Sequence, residues 1–176
     1  MRSLAALLLL ALLTACGNSP PDEAESRLPA VEQGPAPAVT PPRVTPETWT
    51  AIADLESAIR RHPDSLELRE TLVERALLPD HGLVAVVGVG RRTHPETGRA
   101  FPPPMVEKAA RSDGARWAAY VALWRESPGS AAFGDPVRAS VGATTMVEQR
   151  EAGDSLYLHL LYPIPEATLA DSSGLP

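Results

Sequence analysis

The chain has 176 residues, 44% of them hydrophobic, with a formal net charge of −6 and a single cysteine. That length suits one ordinary domain plus a tail. The acidic balance gives no reason to expect nucleic acid, which would call for a basic stripe, and one cysteine excludes an internal disulfide, a thiolate zinc site and a Cys-x-x-Cys redox pair.

Met1-Arg2 supplies a short positive start, residues 4–13 an uninterrupted apolar run, and Ala15-Cys16 small residues at a cut site. This is the layout of a secretory signal, and the run falls well short of the roughly 20 residues that span a bilayer. Leu13-Thr14-Ala15-Cys16 resembles a bacterial lipobox. The resemblance implies that residues 1–15 are a lipoprotein signal peptide, cut before Cys16, and that Cys16 carries the lipid (palmitate among its acyl chains). Acylation would also remove an unpaired thiol from an exported protein. In bacteria with two membranes an aspartate after the lipidated cysteine usually retains the protein in the inner membrane. Gly17 stands there, so the resemblance favours the outer membrane, facing the periplasm.

Residues 16–45 carry Pro20, Pro21, Pro29, Pro35, Pro37, Pro41 and Pro42 among Ala, Glu, Ser and Gly, without apolar periodicity. Such a segment cannot bury enough surface to offset its ordering entropy and reads as an extended, disordered tether. A helical hairpin over 46–79 follows. Thr45-Pro46-Glu47 opens its first helix with a capping hydroxyl, a proline and an acid. Trp49, Ile52, Leu55 and Ile59 recur at helical spacing, and His62-Pro63 stops the helix. Asp64 is the expected cap of the second helix, with Glu67 completing a capping box. Leu68, Leu72, Val73, Ala76 and Leu77 face its core, and Pro79 ends it. Glu56/Arg60 and Glu70/Glu74 read as solvated faces.

An α/β domain is expected over 80–165. Leu83 to Gly90 is a short β-branched run, the mark of a strand covered on both faces. Gly88-Val89-Gly90 invites a dinucleotide reading, but Thr93 stands where the third glycine belongs and Pro102-Pro103-Pro104 delays the next helix. The two glycines are therefore assigned to a bulge or to close approach of another backbone. A long helix over 104–126 carries Val106, Ala110, Trp117, Val121 and Trp124 on one stripe. Asp113 beside that stripe serves either a functional role or a bond to nearby backbone or an arginine. Residues 137–147 and 156–161 alternate as two strands joined by a turn at Gly153-Asp154, and 166–176 reads as a loose tail. The expected class is α+β: an N-terminal helical hairpin, then a small mixed or antiparallel three-stranded sheet packed by one long helix.

The strand ending Val86-Val87-Gly88-Val89-Gly90, the Ala/Arg-rich helix from Lys108 to Tyr120 and the following strand pair resemble the LPP-twenty lipoprotein family. They are also similar to the N-terminal domain of flagellar assembly protein T. The resemblance covers 83–162 and implies an α/β envelope lipoprotein, often at the outer membrane, with no catalytic residues to carry over.

His62, His81, His94 and His159 are scattered, no Gly-x-Ser-x-Gly elbow occurs, and no metal-ligand spacing stands out. No cofactor or metal is expected. The loop over 91–101 is the best candidate surface: Arg91, Arg92, Arg99 and Phe101 cluster arginine with an aromatic in an acidic chain, the usual composition of interface anchors. The bland alternative is a solvated loop. The expected function is a non-enzymatic, membrane-anchored binding or scaffolding module whose partner is an envelope protein or the cell wall. The alternative is a cell-wall or small-molecule hydrolase whose site assembles only in space.

Overall fold

A computed structural model describes residues 42–169. The expected signal peptide, Cys16, the expected tether up to residue 41 and the end of the expected tail from residue 170 lie outside the described residues. Helix α1 spans Pro46–Arg61, with the Thr45 hydroxyl accepting from the Thr48 N–H at 3.3 Å. Helix α2 spans Leu66–Ala76, and its cap is Ser65 rather than the expected Asp64: the Ser65 hydroxyl accepts from the Leu68 N–H at 3.4 Å. α2 stops three residues before Pro79 because Leu77–Leu78 is extended as β1, a two-residue strand. A single 3-10 turn, Pro79–His81, and Gly82 at φ +61° then reverse the chain. Glycine is suited to this left-handed position because it has no Cβ to clash.

Strand β2, Leu83–Arg91, is the centre of the molecule. It pairs along its whole length with β5, Ser155–Pro163, from Leu83↔Pro163 to Arg91↔Ser155. With β4, Thr145–Ala152, the strands form an antiparallel sheet in the order β1-β2-β5-β4. The long helix α3, Pro103–Glu126, lies on one face of this sheet. Gly88 and Gly90 make that contact possible. A Cβ on Gly88 would run into the Ala110 carbonyl, and one on Gly90 into the Val106 carbonyl. Close backbone approach is thus the role of this glycine pair. Val86 and Val84 pair with Leu160 and Tyr162 beside it, all buried, and burying each side chain of this size is worth about 1.5–3 kcal/mol.

The fold is the expected α+β arrangement of helical hairpin, sheet and one packing helix. The strand foreseen over 137–147 divides, however. β3, Val137–Ser140, leaves the main sheet and pairs with β6, Glu166–Leu169, formed by the first residues of the expected tail. Alternation runs through both pieces, so periodicity alone hides the break. α1 covers the other face of the sheet, where Trp49 stacks on His159 with ring centroids 4.5 Å apart. The hairpin is pinned to the end of α3 by Arg69, 5% exposed, which donates to the carbonyls of Pro63 and Pro128.

Candidate binding cleft

Beyond Arg91 the chain forms a miniature hairpin in place of an open loop. The Arg92 N–H donates to the Asp154 carbonyl at 2.9 Å, continuing the β2–β5 ladder to the β4–β5 turn. Phe101 N–H donates to the Arg92 carbonyl at 2.8 Å, His94 N–H to Arg99 at 2.9 Å, and Thr93 bridges Ala100. Gly98 turns the tip at φ +66°. Pro103 and Pro104 then begin α3 without N–H groups, while Met105 and Val106 both donate to the Pro102 carbonyl. The helix start is thereby stripped of the free donors that bind phosphate.

Hairpin, helix start and β4–β5 turn enclose a cleft of about 670 Å³. Phe101, Pro103, Val106 and Leu156 supply its apolar lining, and Arg92, Glu107, Gln149, Glu151 and Asp154 its polar groups. Arg92 and Glu151 form an ion pair at 2.9 Å, with side chains 46% and 55% exposed. Glu107 is held by Arg111 at 2.8 Å. Of the four sequence-predicted residues, Arg92 and Phe101 come together here. Arg91 lines a second pocket, of about 380 Å³, with Glu56 and Tyr157, because neighbouring strand residues point to opposite faces. Arg99 sits exposed in the miniature hairpin. The other cleft residues come from the same loop, the start of the expected helix, the expected turn and the strand after it, and only the tertiary fold unites them.

The edge of β2 beyond β1 holds what the sequence reading misplaced. Glu56, expected on a solvated face, is 2% exposed and accepts from the Val87 N–H at 3.0 Å. Its spacing held the signal: it falls four residues after Ile52 and three before Ile59, on their stripe. Burial pushes its carboxyl well above the ordinary 4.5. The Val87 N–H opposes that rise, Asp113 adds to it, and Arg60 opposes it. Asp113 resolves in favour of the backbone-and-arginine alternative, accepting from Val89 N–H at 3.1 Å and from Arg60 at 2.6 Å. Arg60 also lies 5.1 Å above the Trp117 ring. Glu70 and Glu74 are exposed as expected.

His159 is half-buried against Trp49. Burial holds its pKa below the usual 6.5, against the pull of Glu148, whose carboxylate lies 3.3 Å away. Among the described residues no three His, Cys, Asp or Glu side chains converge as a metal site, and no helix is long and apolar enough to cross a membrane. Comparison with known protein families, curated proteins and solved structures finds no match to this chain.

Proposed function

We propose that the chain is a lipid-anchored bacterial envelope protein, held by Cys16 and facing the periplasm from the outer membrane, whose domain is a non-enzymatic binding or scaffolding module. The lipobox and the LPP-twenty resemblance support the location. The observation that carries the binding role is the cleft, which joins Arg92 and Phe101 to an apolar lining. Arginine and aromatic anchors around a desolvated pocket are what interface hot spots are made of, and the partner is an envelope protein or the cell wall.

The hydrolytic alternative would use Glu107, Glu151 and Asp154, which line the same cleft. Two of these are held by arginines with side chains 43% and 55% exposed, whereas a general acid at neutral pH depends on burial to raise its pKa. The deciding experiment is photo-crosslinking in living cells from Phe101, with Glu70 as control position. One dominant envelope partner is expected, lost when Arg92→Ala is added although the melting temperature holds. Equal adducts from Phe101 and Glu70 would remove the cleft from the account.

A further inference from the structure

β4 is an eight-residue edge strand whose outer side pairs with nothing among the described residues. Seven of its residues are exposed. It contains no lysine or proline, the usual protections of an edge. Met146 and Val147, adjacent on it, are 42% and 45% exposed and make up half of the four exposed large apolar side chains among the described residues. Its protective features are a bulge at Val147 and the charges of Glu148, Arg150 and Glu151.

The direction of its free backbone groups follows from the register. Val87 N–H reaches Glu56, so it points away from β5. Backbone groups alternate in an antiparallel ladder, so His159, paired with Val87, turns its own groups towards β4 and meets Glu148. Gln149 and Glu151 consequently present their N–H and C=O groups outward. An added strand must meet those residues with outward-facing groups of its own.

We infer that β4 pairs antiparallel with β4 of a second copy of this chain, about a two-fold axis through Gln149. This register sets Glu148 opposite Arg150 of the other copy, twice, on one face. An axis through Glu148, Arg150 or Glu151 instead places that residue against its own copy, like charge on like. Opposite charges across strands stabilise and like charges destabilise, so the charge sequence Glu148-Gln149-Arg150 selects the Gln149 axis. The bulge keeps the regular ladder short. The contact is therefore smaller than the roughly 1,200–2,000 Å² of stable interfaces, and self-association is weak and reversible.

Disulfide trapping tests this in the purified full chain carrying Cys16→Ser, so that an introduced thiol is the only one. Paired Gln149 residues would place their Cα atoms about 5.5 Å apart, within disulfide reach. Gln149→Cys is expected to form dimer about tenfold faster than Glu70→Cys under mild oxidation, through its raised effective concentration. Adding Glu148→Arg or Arg150→Glu alone should slow trapping about fivefold, and adding both should restore it. Unchanged circular dichroism melts of these surface variants establish that they are folded. Dimer formation no faster than the control, or a double reversal that stays slow, overturns the proposal. So does a Gln149→Cys chain that remains monomeric when pure and traps a different protein in cells, which would place a foreign strand on β4.

Discussion

The two edges of the main sheet are finished in opposite ways. At β2 the donors of Val87 and Val89 are taken up by Glu56 and Asp113, and the helical hairpin lies over them. At β4 the corresponding groups face solvent beside exposed Met146 and Val147. An edge closed from within requires acids brought into the interior, and Glu56 shows the cost in its raised pKa. An open edge imposes no such demand and stays available. The domain thus puts its polar investment on the side where the hairpin must dock.

The largest effect should come from reopening the closed edge. Combining Glu56→Ala with Asp113→Ala leaves the Val87 and Val89 donors and the Arg60 guanidinium without their carboxylates. At about 1–3 kcal/mol for each of the two orphaned backbone donors, the loss is about 2–6 kcal/mol, a large share of a typical domain's stability. A denaturation midpoint indistinguishable from wild type would show that the edge is closed by something else.

A subtler change sharpens the same point. Glu56 has a folded-state pKa above its unfolded value, so its stabilising contribution is complete below about pH 4.5. It declines as pH rises from there through the folded pKa, because the folded state binds the proton more tightly. Glu56→Gln keeps an oxygen for the Val87 N–H and has no proton to lose. It should match wild type near pH 4 and exceed it at pH 7, as read from urea midpoints across that range. Equal pH dependence in both proteins would mean that burial does not raise the Glu56 pKa.

The smallest effect belongs to the open edge. Gln149→Lys places a charge on β4 where no buried group depends on it, and its stability cost should stay within about 0.5 kcal/mol. The same substitution should abolish pairing between copies, measured as loss of the concentration-dependent shift to faster sedimentation. A large fall in melting temperature would instead make β4 part of the structural core.

What could be read directly in the sequence was governed by local rules. The Thr45 cap, the stop at Pro63, the glycine pair and the apolar stripe of α3 each depend on near neighbours, and each is where it was expected. Features set by distant segments were hidden. Leu77 fits a helical stripe, yet pairing with Val84 draws it into β1. Val137 and Ala139 alternate as if continuous with Val147, yet β6 claims them. Glu56 was misplaced because an acid among apolar residues reads as solvated until a backbone donor 31 positions away is brought to it. The cleft is of the same kind: Arg92 and Phe101 were visible as a loop, but Leu156 and Glu151 join them only through the β2–β5 register.

The β2–β5 pairing also sets the order of events as the chain folds. β1, β2 and α3 come from successive segments and can meet early, with Gly88 seated against Ala110. β5 is reached only after all of α3, β3 and β4 have been made available. Contacts between distant segments close slowly. A chain appearing from its N-terminus therefore carries β2 with its longest side unpaired until Pro163 arrives.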